Sequence, residues 1–205
     1  RGNAAVLRKV LMAECSRCTR CGKVTKISEV TGSPQQSQIK DYEALSAIKL
    51  QSIFCPEPPG DSVTRKSLLD SIVLGCIPII FVHQELDMFE AFVTAEEFAE
   101  AVLYVPEAEI LGSEGKISLW GTGTFHEMSK TWRRFKKLYP RSASVFDALA
   151  PHHTKEQRET RIRELFPKNR SMLDILTSMS EEEIQEKQRA LAKISHRFVI
   201  GLDDS

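Results

Sequence analysis

The 205-residue chain has no surplus of either charge: its 28 Lys and Arg balance 28 Asp and Glu. A domain dedicated to nucleic acid concentrates positive charge against the phosphates, so that class starts at a disadvantage. The longest apolar run, Cys76 to Val82, is far shorter than the roughly 20 residues that cross a bilayer. No signal peptide or anchor is legible, and a chain opening on Arg1 is expected to be a piece of something longer. Gly-Lys-Thr is missing, which excludes a P-loop, and so is the G-x-G-x-x-G dinucleotide fingerprint. Internal repeats, coiled-coil heptads and low-complexity tracts are absent as well. With 41% apolar and 27% charged residues, the chain still has the composition of a packed domain.

Three of the five cysteines fall in one C-x-x-C-x-x-C cluster, Cys15, Cys18 and Cys21. A zinc ribbon takes four ligands in two pairs, and here the second pair is missing and the nearest His is His83. A disulfide within the cluster, or from it to elsewhere, fits a secretory chain, whereas reduced thiols fit a cytosolic one. Cys55 and Cys76 sit in apolar segments and are expected to be buried as small hydrophobes. Asn169-Arg170-Ser171 is a glycosylation sequon and favours a lumenal setting slightly.

Helices are expected over 4–13 and 41–50, with a loop over 22–38 between them. Ser52 to Cys55 reads as a strand ended by Pro56-Glu57-Pro58-Pro59-Gly60. Ser62 is the expected N-cap of a helix carrying Leu68, Leu69, Ile72 and Val73, and Gly75 stops it. Ile77 to Val82 is apolar on both faces, which fits a parallel strand covered by helices. These pieces make a βαβ unit. Ala101 to Val105 reads as another strand. Capping boxes at Thr94–Glu97, Thr154–Gln157 and Ser180–Glu183 announce three helices. Residues 128–139 read as a basic amphipathic helix with Trp132, Phe135 and Tyr139 at helical spacing.

Ligands of open parallel sheets bind beyond the carboxyl ends of the strands. The Pro56–Ser62 loop is such an end, and it enters a helix N-terminus whose N–H groups and dipole attract phosphate. Gly60 allows close approach, Ser62 and Thr64 add hydroxyls, and Arg65 adds a fork for phosphate oxygens. Asp70 lies two turns beyond Ser62, where a carboxylate can accept bonds from ribose hydroxyls. The plainer alternative is a well-capped helix with Arg65 and Asp70 solvated.

The run Phe54-Cys55-Pro56-Glu57-Pro58-Pro59-Gly60-Asp61-Ser62-Val63-Thr64-Arg65, with Asp70 and Gly75-Cys76-Ile77-Pro78-Ile79-Ile80-Phe81 behind it, resembles the signature of exostosin-like glycosyltransferases. The similarity is nearest to the plant and algal branch that includes xyloglucan galactosyltransferases. It is strong over this run and weaker from the cysteine cluster to Val105-Pro106-Glu107. The resemblance implies an α/β fold: a Rossmann-like parallel sheet with flanking helices, the C-terminal donor half of a GT-B enzyme. Residues 1–111 would form that core, 112–170 a helical insertion, and 171–205 helices packing back on the core.

By position, Gly60, Asp61, Ser62, Thr64 and Arg65 would bind the donor diphosphate and Asp70 the ribose. The reaction implied is inverting transfer from a nucleotide-sugar donor, UDP-linked, to a glycan acceptor, with no metal or other cofactor required. The general base would belong to an acceptor domain missing from this chain, and His83 is the nearest candidate within it. The family lives in the Golgi lumen behind a membrane anchor, which favours disulfides at Cys15, Cys18 and Cys21. Glu57 departs from the pattern, since a carboxylate pointing into the turn would weaken phosphate binding. A non-catalytic nucleotide- or glycan-binding module derived from the fold is the alternative. A nucleic-acid binder using Lys130, Arg133, Arg134, Lys136, Lys137 and Arg141 is a third reading, and His152-His153 lacks the partners of a metal site.

Overall fold

The computed structural model describes residues 2–21, 34–59, 65–86, 88–111, 153–166 and 170–199. Helices α1 (Gly2–Arg17) and α2 (Pro34–Leu50) precede strand β1 (Phe54–Glu57). Then come α3 (Lys66–Val73), β2 (Ile77–Ile80), a 3-10 turn (His83–Leu86), α4 (Ala95–Ala101), β3 (Leu103–Tyr104) and α5 (Glu107–Leu111). Helices α6 (Lys155–Leu165), α7 (Met172–Thr177) and α8 (Glu181–Ser195) follow. The strands form one parallel sheet in the order β1-β2-β3, with Phe54 opposite Ile77 and Ile79 opposite Leu103.

Strand β2 is buried along its whole length because it is central and covered on both sides. Ile77 and Ile80 pack with Leu68 and Ile72 of α3, Phe98 of α4, and Leu191 and Ile194 of α8. Ile79 and Phe81 pack in a second cluster with Leu7 and Leu11 of α1, Ile110 of α5, and Met172 and Ile175 of α7. The result is a helix–sheet–helix sandwich, with the helices after residue 170 contributing to both faces. Lys187 of α8 reaches across to donate to the Val102 and Glu100 carbonyls behind α4, and burial pulls its pKa down to about 8.

The capping boxes form at all three sites. Thr94 and Glu97 exchange bonds at the start of α4, Thr154 and Gln157 before α6, and Ser180 and Glu183 before α8. Gly75 takes φ +78°, which ends α3 and turns the chain into β2.

Several expectations are corrected. The loop expected over 22–38 is helical from Pro34 onward, because proline is favoured in the first turn of a helix. Helix α3 begins at Lys66 with Arg65 as N-cap, not at Ser62. Cys55 and Cys76 are not separate buried thiols but a disulfide, with Cα atoms 5.8 Å apart. Parallel pairing brings them together, since Phe54 lies opposite Ile77. Cys15, Cys18 and Cys21, expected in disulfides, are free thiols at the end of α1. Ser171 of the sequon caps α7 and also donates to Glu14 Oε2. The basic helix over 128–139 and His152 lie outside the described residues.

Candidate functional site

The carboxyl edge of the sheet gathers three buried glutamates, one after another along the strand order. Glu57 ends β1, Glu85 lies in the turn after β2, and Glu107 opens α5 after β3. Buried carboxylates are costly unless paired or protonated, so each position on this edge calls for a separate account.

Glu57 is paired. Lys49 of α2 donates to its Oε1 at 2.9 Å, Ser71 at 2.6 Å and Ser67 at 3.1 Å. Lys49 also donates to the Ser67 carbonyl, which ties α2, β1 and α3 into one knot. The carboxylate suspected of opposing phosphate therefore has its charge matched by the Lys49 ammonium.

Arg65 stands at the same edge. Its Nη1 donates to the Pro58 carbonyl at 2.9 Å, which fixes the guanidinium beside the end of β1. A guanidinium has five N–H donors, and Pro58 takes one of them. Arg65 is also the N-cap of α3, with extended backbone and no side-chain cap. Among the described residues, no side chain caps the first N–H groups of that helix.

Asp70 pairs instead with Lys66 at 3.3 Å on an outer face, and Lys66 lies 4.4 Å from the centre of the Tyr42 ring. Gly60, Asp61, Ser62 and Thr64 lie outside the described residues. His83 opens the 3-10 turn directly after β2.

Glu85 is the residue that sequence reading passed over. It is only 1% exposed, and among the described residues its Oε2 has no hydrogen-bond partner. Burial pushes its pKa up to about 8, with Glu57 adding to the rise, while the Phe81 and Val82 backbone and Arg65 oppose it. Nothing in the local pattern marks it, since a single Glu in a turn has no periodicity to read.

That shift has a measurable consequence. A folded-state pKa above the unfolded value means the native state holds the proton more tightly, so stability is full at low pH and falls as pH rises from about 4.5 to about 8. Glu85→Gln should remove this contribution, worth up to about 1.4 kcal/mol per pH unit inside the window. Urea unfolding of both proteins from pH 4 to 9 checks it: the two stability curves should diverge with rising pH, and parallel curves would refute it.

Residues 1–117, more than half of the chain, match the exostosin GT47 domain. Over 63 residues the chain is 41% identical to the probable xyloglucan galactosyltransferase GT19 of Arabidopsis thaliana, covering 30% of this chain and 14% of that protein. Over 80 residues it is 35% identical to the xyloglucan-specific galacturonosyltransferase 1 of the same plant, covering 39% of this chain and 11% of that protein. The chain thus spans about a seventh or less of the length of these relatives. No solved structure matches it. The matched span contains all three strands of the parallel sheet and covers more than half of the sequence, so the chain is a member of the exostosin GT47 family.

Proposed function

We propose that this chain supplies the donor-binding part of a glycosyltransferase that moves a sugar from a UDP-linked donor to a glycan acceptor. The observation that carries the reading is Arg65, held by Pro58 at the carboxyl edge of the sheet and seated at the uncapped start of α3. An arginine fork and a helix N-terminus together form a site for an anion with several oxygens. The names of the relatives supply the chemistry, since they are called galactosyl- and galacturonosyltransferases acting on xyloglucan.

In this reading the diphosphate lies against Arg65, Gly60, Asp61, Ser62 and Thr64. Asp70 exchanges its weak surface pairing with Lys66 for the ribose hydroxyls. The acceptor hydroxyl attacks the anomeric carbon directly, and the glycosidic electrons leave with UDP. Arg65 and the α3 dipole stabilise the charge that develops on the departing diphosphate, the task a metal performs elsewhere. The GT-B partner domain supplies the acceptor site and the general base, and the setting is the Golgi lumen.

UDP should raise the melting temperature of the chain, and Arg65→Ala should weaken UDP binding by roughly ten- to a hundredfold, the worth of a charge-assisted hydrogen bond. A wild-type protein indifferent to UDP and UDP-galactose would refute the reading. Sugar transfer or release, assayed beside binding, separates the enzyme from a binding module.

A further inference from the structure

The C-x-x-C-x-x-C run at the end of α1 belongs to neither core cluster and has no part in the donor-site reading. Cys15 sits in the last turn of the helix, and Cys18 and Cys21 lie just beyond it. Two successive turns gather them. The Cys18 N–H donates to the Cys15 carbonyl at 3.2 Å, and Thr19-Arg20 form a second turn that brings the chain round to Cys21. The ends of such turns stand within about 7 Å, close to the Cα separations that a disulfide spans. All three thiols are half-buried, which leaves them open to a small molecule. The Cys21 thiol also shares hydrogen bonds with the sulfurs of Cys18 and Cys15. Because Cys18 and Cys21 follow the helix, joining them unwinds none of α1.

We propose that this cluster is a thiol–disulfide exchange site for a small-molecule disulfide of the glutathione type, with Cys18 as the attacking thiol and Cys21 as the resolving one. The Cys18 sulfur, having lost its proton, attacks one sulfur of the disulfide. The S–S bond breaks, its electron pair leaves on the other half as a thiolate that takes up the proton, and a mixed disulfide remains on Cys18. Cys21 then attacks the Cys18 sulfur and expels the second thiolate, which takes the Cys21 proton. Two protein thiols and one small disulfide become one Cys18–Cys21 bridge and two small thiols. The surroundings divide the roles. The hydrogen bond from Cys21, helped by the Arg20 and Cys21 backbone and the Arg20 charge, holds Cys18 below the ordinary thiol range against the effect of burial. Burial, then the bonds to its neighbours, pushes Cys21 up to about 12, so Cys21 keeps its proton until Cys18 has been capped. The Cys55–Cys76 bridge is a different object: its cysteines are only 7% and 0% exposed, which shields them from the same reagent.

The test equilibrates the folded full chain, near neutral pH, with glutathione buffers running from reduced to oxidised, followed by acid quench, alkylation and peptide mapping by mass spectrometry. The reduced end should give labels on Cys15, Cys18 and Cys21. The oxidised end should give a Cys18–Cys21 bridge, a label on Cys15 alone and an intact Cys55–Cys76 bridge. With limiting glutathione disulfide, the first adduct should fall on Cys18. Cys21→Ser should stop at that adduct, and Cys18→Ser should take up glutathione roughly threefold more slowly. If either variant fails to fold, the wild-type map decides. Three labels at every buffer ratio, a bridge that uses Cys15 in place of Cys18, or first adducts spread evenly over the three thiols would overturn the assignment.

Discussion

Lys49→Met should destabilise the fold by about 3–5 kcal/mol, because it strands Glu57 as an unpaired charge beneath the sheet edge. The side chains of the two partners are 12% and 4% exposed, so water cannot take over the role of the missing ammonium. Chemical denaturation gives the number directly. The decisive comparison is Lys49→Met combined with Glu57→Leu. Replacing both charges with apolar groups should recover most of the loss, since a buried pair contributes far less than the penalty for breaking it. A double variant as unstable as the single would show that the cost comes from packing instead. The effect should reach the candidate site as well, because Glu57 is the last residue of β1 and Pro58, the next residue, holds Arg65. If the proposed donor site is right, Lys49→Met should lose UDP affinity under conditions where it remains folded.

Opening the Cys55–Cys76 bridge should cost about 3 kcal/mol. The bridge closes a loop with a sequence separation of 21, and a cross-link of that span restricts the unfolded chain by about this amount. Reductant should lower the denaturation midpoint of wild type and leave that of the Cys55→Ser/Cys76→Ser variant where it stands. Alkylation gives an independent count. The unreduced, unfolded chain should take up three labels, at Cys15, Cys18 and Cys21, and the reduced chain a label on each of its five cysteines. Uptake of a single label before reduction would place a second bridge in the cluster and contradict the free thiols there, and uptake of five would contradict the Cys55–Cys76 bridge. The bridge spans the segment that holds the candidate site, so under the proposed donor-site reading reduction should weaken UDP binding along with stability.

The central unit was legible because its signals agree. A doubly apolar strand, a helix with Leu68 and Ile72 on one face, and a glycine at the turn all specify the same βαβ arrangement. The capping boxes were equally readable, since each encodes two reciprocal bonds in four residues. Helices α5 and α7 escaped because five and six residues cannot display a helical period. The start of α2 was hidden by Pro34-Gln35-Gln36, a composition shared by turns and first turns alike. The disulfide was invisible because pairing depends on strand register, and apolar neighbours make a half-cystine look like any buried thiol. In the candidate site, Arg65 stood out by its place after the Pro-rich run, though not as the N-cap of α3. Glu85 did not, because its burial and its unbonded Oε2 emerge only from three-dimensional surroundings.

The closure of one sheet face by Leu191 and Ile194 bears on how the protein is made. Those residues lie beyond the 112–170 stretch, so while the chain is being synthesised the face formed by Ile77, Ile80 and Phe98 is produced long before its lid. A ribosome-bound nascent chain would carry an open, sticky flank through that interval. Chaperone engagement should peak there and end only when α8 emerges, and premature stop codons ahead of α8 should yield aggregates in place of a smaller working domain.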